Sequence, residues 1–446
     1  MSDARGQSKD PGETSQARLT RRRLLVTGAT GAAAAYGLSA GGASARGLSS
    51  SIFKSTAAGT VTFGANAADT PVPLKALNQS FKAFTAKTGT QVKVNAVAHN
   101  QFQEQINSYL QGQPDDVFTW FAGYRMKFFA AKGLLSPIDD VWATLKPQFA
   151  SSFQNASKGS DGRYYFVPSH AYPWALHYRK SVFKKNGYTP PKTWAQLIAL
   201  CKKMQADGLT PLAFTDKEGW PAMGTFDIIN MRINGYAFHV RLMGGKARWD
   251  SPQVKKVFNT WAELLPYTSD GALGMLWQDG ATQFIKGEAG MYFLGTFVGQ
   301  AFSPAAAKDV DFVAFPAINP KWGQDSIDAP IDGYCMSKKS KNPTEAKQLM
   351  KFLGSAAYEN IYLNSDPNNF GANKNVNTSK YTAIQKKSAA LVAKTAHIAQ
   401  FLDRDTRPDF ASTVMIPAIQ QFLNKPEDVN SLCSSIQKQK VAIFGS

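Results

Sequence analysis

Apolar residues along this chain shift between a spacing of two and a spacing of three or four, which is how alternating strands and helices read. Thr60-Val61-Thr62-Phe63 alternates as a strand. Leu74, Leu77, Phe81 and Phe84 recur at helical spacing and stop at Gly89. Residues 92–97 alternate again, residues 102–110 are helical, and residues 116–120 form a third strand. This β-α-β-α-β order predicts an α/β protein, a parallel sheet wrapped by helices, with ligands at the carboxyl ends of its strands.

The middle of the chain follows the same plan. Thr193 and Gln196 make a capping box for a helix with Leu197, Leu200, Cys201 and Met204 on one face, closed by Gly208. Asn342-Pro343-Thr344-Glu345 opens another, with Leu349, Phe352 and Leu353 inward and Gly354 at its end. Residues 289–294, 310–315 and 333–336 read as strands, and residues 377–446 as wholly helical.

A length of 446 residues points to two or three domains, at roughly 100–200 residues each. Ahead of them, Thr20-Arg21-Arg22-Arg23-Leu24-Leu25 precedes a Gly/Ala-rich apolar run that ends at Ala43-Ser44-Ala45. A charged start, an apolar middle and a small-residue cleavage site predict a signal peptide over residues 1–45, of the twin-arginine export type. Residues 46–59 read as a flexible linker. No Cys lies near the cleavage site, so the mature protein is expected to be exported to the periplasm or the outer face of the membrane without a Cys-linked lipid.

The net charge of +18 raises nucleic acid as a partner, but past the N-terminus the lysines come in scattered pairs such as Lys184-Lys185 and Lys338-Lys339. Without a basic stripe or a recognition motif, nucleic acid is not expected. Cys201, Cys335 and Cys433 form no disulfide framework, Cys201 reads as a small core residue, and a Cys335–Cys433 bridge is left open.

No catalytic, metal or cofactor motif stands out. His99, His170, His177, His239 and His397 lack metal-ligand spacing, and no nucleophile elbow or phosphate loop is present. Asp115-Asp116 is a candidate carboxylate pair, although Asp115 follows Pro114 and reads as the start of a strand. What the chain does offer is aromatic residues, 12% of the total. Trp120, Phe121 and Tyr124 follow the third strand, Tyr172 and Trp174 follow another, Trp220 sits in a Gly/Pro-rich loop, and Trp277 precedes a helix. Sugars present C–H faces to such rings and hydroxyls to carboxylates, amides and Arg. Asn66, Asp69, Asp332, Arg404 and Asp405 are the polar candidates, with Asp69 also placed to cap the helix beginning near Pro71.

The order of short motifs then becomes informative. Phe81-Lys82-Ala83-Phe84 precedes Thr88-Gly89, followed by Pro114-Asp115-Asp116-Val117-Phe118 and Lys132-Gly133-Leu134-Leu135-Ser136-Pro137-Ile138. Later come Gly162-Arg163-Tyr164-Tyr165-Phe166-Val167-Pro168, Tyr178-Arg179-Lys180, Thr193-Trp194-Ala195-Gln196-Leu197, and the runs at 284–291 and 337–346. In this order, from Thr60 onward, the chain resembles the extracellular solute-binding proteins (family 1) of sugar ABC transporters, the group that includes maltose-binding protein.

The resemblance implies a two-lobed periplasmic-binding-protein fold with a ligand cleft between the lobes. Lobe one would take residues 60–170 and 326–372, and lobe two residues 171–325 and 373–446. Strand passages between them would fall near 170–175, 326–331 and 370–375. The family's contact regions add Gly295 and Phe297, the latter where Trp is frequent. The implied function is capture of a mono- or oligosaccharide by hinge closure and its delivery to the permease subunits, by a monomeric protein that is not an enzyme. The alternatives are a secreted glycosidase or lyase, and a binding protein for a polyol or glycerol phosphate.

Overall fold

The computed structural model describes residues 59–445. The expected signal peptide (1–45) and linker (46–59, apart from Gly59) lie outside the described residues.

Two separate sheets organise the chain. The first contains β1 (Thr60–Ala65), β2 (Gln91–Ala96), β3 (Val117–Phe121) and β4 (Phe166–Ala171). The chain then leaves through residues 172–173 and builds the second sheet from β5 (Trp174–Arg179), β6 (Thr210–Ala213), β7 (Ala289–Gly295) and β8 (Val310–Val313). It returns through β9 (Ser326–Asp328) and adds β10 (Ile331–Met336) and β11 (Phe370–Gly371) to the first sheet. The first sheet has the order β11-β4-β10-β3-β1-β2 and the second β6-β7-β5-β8. β1 runs parallel to β2 and β3, while β10 lies antiparallel between β3 and β4.

The first sheet is therefore mixed, parallel only across β2-β1-β3, where the sequence pattern predicted a parallel sheet, and helices cover both of its faces. Val61, Phe63 and Ala65 point to one face, where the helix Pro71–Thr88 brings Leu77, Phe81 and Phe84. That helix ends at Gly89, whose φ of 77° suits a residue without a side chain. Phe118 and Trp120 point to the other face, against Phe102, Ile106 and Leu110 of the helix His99–Gln111. The second sheet has its own core, to which the helix Trp194–Ala206 contributes Leu197, Leu200, Cys201 and Met204. Its Thr193–Gln196 capping box forms as expected. All three cysteines are buried and free, so Cys335 and Cys433 do not pair.

Two expectations change. Residues 377–446 are not wholly helical: β12 (His397–Ala399) pairs in parallel with β9. A three-residue strand whose partner lies some seventy positions away leaves no periodic signal of its own. The third passage also comes later than residues 370–375. Val376, Tyr381, Ala389 and Val392 still pack on the cores of the first sheet, and the second core resumes with Ala399, Phe401 and Leu402.

The Asp115-Asp116 pair is built into this framework. The buried Asp116 carboxylate accepts hydrogen bonds from Thr62 N–H and hydroxyl, Ser340 hydroxyl, Lys341 N–H, and Asn342 N–H and amide, all at 2.7–3.0 Å. It ties β1 and β3 to the start of the helix Pro343–Leu353. Burial works against its charge, but these donors outweigh it and hold the carboxyl down at about 2. Asp115 in turn accepts from the Tyr109 hydroxyl at 2.9 Å and from the Asn95 amide. Both carboxylates are occupied by structure. We expect Asp116→Ala to destabilise the protein by about 3 kcal/mol in chemical denaturation, because several donors lose a charged acceptor. Since its folded pKa is depressed, the stabilisation from Asp116 is complete above the unfolded value of about 4 and is lost as pH falls through about 2.

Candidate functional site

The carboxyl ends of β1, β3 and β4 and the amino end of β10 meet at one edge of the first sheet. Opposite them stand the amino end of β5, the carboxyl end of β7 and the loop after β6. Between these edges lies a cleft of about 1120 Å³, its open mouth included.

Its polar centre is Asp332, the second residue of β10. Arg404 Nη1 donates to Asp332 Oδ1 at 2.7 Å, and Arg404 Nη2 donates to the Tyr172 hydroxyl at 3.0 Å. That hydroxyl lies 3.3 Å from Asp332 Oδ2, and His170 Nε2 lies 3.8 Å from the same oxygen. The Arg404 guanidinium stacks 4.0 Å from the Phe121 ring centre. Burial alone would lower the Arg404 pKa, but Tyr172, Asp332 and Asp403 outweigh it and keep the group charged. Burial pushes the Tyr172 hydroxyl up, so it remains a donor, and lowers His170, so that ring is neutral near pH 7. The centre thus offers a partly exposed carboxylate oriented by a fixed cation.

Aromatic rings form the walls. Phe297 packs edge-on against Tyr172 at 5.2 Å and Trp277 at 5.4 Å, and lies 5.9 Å from Trp220. Trp174 sits behind them, 4.8 Å from Phe401. Trp220 and Phe297 are half-buried and line the cleft. Trp120 is 2% exposed and packed between Phe121 at 5.0 Å and Phe129 at 5.6 Å. It backs the cleft, and its ring area is spent on neighbours.

Of the residues singled out from sequence, Asn66, Asp69, Trp120, Tyr172, Trp220, Trp277, Phe297, Asp332 and Arg404 line this cleft. Tyr124, Gly295 and Asp405 do not line it. Tyr124 is 38% exposed at the start of the helix Tyr124–Ala131. Gly295 lies beneath the Phe297 and Tyr172 rings, where an added Cβ would collide with both. Asp405 accepts from Gln400 N–H at 2.7 Å, and burial lifts its carboxyl to about 6. Asp69 does cap a helix, but a different one: Oδ1 accepts from His99 N–H, the first residue of His99–Gln111, at 3.0 Å.

Phe121 and Trp174, read from sequence as aromatics at strand ends, also line the cleft, whereas His99, Glu218, Gln300 and Asp403 were missed. Glu218 stood close to Trp220, so adjacency was the available signal. Gln300 and Asp403 gave none.

The two walls are joined around the cleft. Arg125, from the first wall, pairs with Asp403 at 3.2 Å and donates to its backbone carbonyl at 3.0 Å. Gln300 donates to Asp366 at 2.8 Å, and Lys387 to Asp311 at 2.5 Å. The short helix Leu402–Asp405 contacts both sides, and Phe401 before it holds φ at 113°. A bulky residue there carries strain of about 1–3 kcal/mol, which the surrounding packing must offset. Gly123 lies directly against this turn: at its φ of 85°, a Cβ would sit 2.6 Å from the Arg404 carbonyl oxygen. We expect Gly123→Ala to push the turn away and lower the thermal midpoint, a cost of about 2 kcal/mol from backbone strain alone. A native-like midpoint would show that the contact tolerates a side chain.

Among the described residues no group of His, Cys, Asp or Glu is arranged to hold a metal ion, and no helix is long and apolar enough to cross a membrane. The family model for bacterial extracellular solute-binding proteins matches residues 67–360. The bacterial solute receptor AcbH, described as having an exclusive preference for β-D-galactopyranose, is 46% identical, with 86% of this chain and 99% of that chain covered and a TM-score of 0.85. An ABC transporter extracellular-binding protein of Pyrococcus horikoshii is 26% identical over 340 residues, 74% of this chain and 72% of that protein. A probable sugar-binding periplasmic protein of Rhizobium meliloti is 25% identical over 252 residues, 54% of this chain and 58% of that protein. The two sheets with their separate cores are therefore the lobes of a two-lobed binding protein, and this chain belongs to the bacterial extracellular solute-binding protein family.

Proposed function

We infer that the chain is the substrate-binding subunit of an ABC importer, and that its cleft takes a neutral hexopyranose of the β-D-galactopyranose class. The observation that carries this reading is the pairing of half-buried aromatic rings on one wall with an oriented carboxylate–guanidinium centre on the other. Trp220 and Phe297 would cover an apolar ring face, while Asp332 and Arg404 would take hydroxyls. The 46% identity to a galactopyranose receptor supports the choice of sugar.

The lobes would close by rotation about the passages at 172–173, β9 and β12. The ligand stabilises the closed form only by binding it more tightly than the open one. On their packing, residues 373–392 move with the first lobe, and the remaining boundaries are those implied by the family. Export by the twin-arginine route, a monomeric state, the absence of a Cys-linked lipid and docking on permease subunits complete the proposal. The reading includes no catalysis, so incubation with oligosaccharides should release no new reducing ends.

Calorimetry against a panel of neutral sugars tests the ligand. D-Galactose should bind and raise the thermal midpoint, and Asp332→Ala should weaken it by roughly thirtyfold or more, as expected when one member of a hydrogen-bonded charge pair is removed. Failure of every neutral hexose to bind would overturn the assignment. Small-angle scattering should show a smaller radius of gyration with sugar than without.

A further inference from the structure

The sequence is strongly basic, with a net charge of +18, yet its cleft is not. Two of the cations at the cleft are matched: Arg404 by Asp332, and Arg125 by Asp403. Burial lowers both His99 and His170 and leaves them neutral near pH 7. Two lining carboxylates remain, Asp69 and Glu218, and among the described residues neither has an ion-pair partner.

Each is held by a neutral donor. Glu218 Oε2 accepts from Trp220 Nε1–H at 2.9 Å, and Asp69 Oδ1 accepts from His99 N–H at 3.0 Å. The His99 and Trp220 rings lie 6.4 Å apart, so the two carboxylates belong to facing walls of one opening, Asp69 on the first lobe and Glu218 on the second. Burial, with the repulsion of Asp69, raises the Glu218 pKa, against which its indole donor and the neighbouring Lys217 act.

From this the geometry points to an electrostatic filter: Glu218 and Asp69 bracket the cleft with negative charge and reject anionic sugars, leaving the site to neutral ones. The inference rests on the sugar-binding reading above and deepens it. A uronate or sugar phosphate entering between the lobes would meet a like charge on each wall, in a space that closure strips of water. Like charges brought together in that way are an effective means of excluding a wrong partner. The overall positive charge does not soften this, because exposed lysines beyond a Debye length of about 8 Å are screened by salt. The basic composition, taken alone, suggested a phosphate-bearing ligand such as glycerol phosphate, and the distribution of charge within the cleft opposes it.

The test compares D-galactose, D-galacturonate and D-galactosamine by calorimetry on the full mature chain at physiological ionic strength, where the surface lysines are screened. Galacturonate should bind at least thirtyfold more weakly than galactose, and galactosamine, a cation, within about tenfold of it. Glu218→Gln keeps the acceptor for the Trp220 indole and should narrow the galactose–galacturonate gap tenfold or more. Asp69→Asn keeps an oxygen for His99 N–H and should narrow it in the same direction.

Because burial raises the Glu218 pKa, lowering the pH titrates Glu218 ahead of an unburied carboxylate such as that of galacturonate. The gap should therefore shrink in the native protein, and shrink less in Glu218→Gln. The groups bearing on this titration are Asp69, Lys217 and the Trp220 N–H. Binding of galacturonate within threefold of galactose, or a gap unchanged in both variants, would overturn the filter while leaving the sugar reading intact. Failure of galactose to bind would overturn both.

Discussion

A buried guanidinium must find acceptors, and Arg404 finds them on strands that the chain reaches at very different times. Asp332 enters with β10 and Tyr172 follows β4, while Arg404 rides a four-residue helix near the C-terminus. The group is 7% exposed, so leaving it unpaired would cost several kcal/mol. That constraint fixes the 400–405 turn against both lobes. Around it follow the strained Phe401, the side-chain-free Gly123 and the Arg125–Asp403 pair. The same arrangement presents a quarter-exposed carboxylate to the cleft with its orientation already set.

Preorganisation of this kind suits a binding site, because the polar groups need no rearrangement to meet a ligand. Asp332 is held in one orientation by the Arg404 guanidinium and the Tyr172 hydroxyl. The aromatic walls add surface that is adaptable in register but specific for shape. Beside the Arg125–Asp403 pair, the hydrogen bonds Gln300–Asp366 and Lys387–Asp311 join the two sides of the cleft, and the cores of the two sheets stay separate.

The fold was legible where the signal is local. The helix over residues 71–88 announced itself by Leu77, Phe81, Phe84 and the stop at Gly89, and the Thr193–Gln196 capping box forms as read. β12 was not legible, because three residues acquire strand character only by lying beside β9. Among site candidates, Trp220, Asp332 and Arg404 line the cleft, as aromatic and charged residues near strand ends and loops can. Asp405 was chosen for the same reason and turned out to hold its own turn together. Asp116 shows the reverse: a carboxylate placed where chemistry could be sought is consumed by six hydrogen bonds.

The sequence alone determined most of the strands and helices, where many of them stop, and which family order the motifs follow, since each depends on neighbours within a few residues. Only the tertiary structure decided which charges meet. Asp332 and Arg404 stand 72 positions apart, and Tyr172 and Arg404 stand 232 apart. That neither Glu218 nor Asp69 has an ion-pair partner among the described residues is likewise invisible in a chain carrying fifty lysines and arginines. Composition sums charge over the whole surface, whereas a ligand experiences only the few groups within a screening length of the cleft.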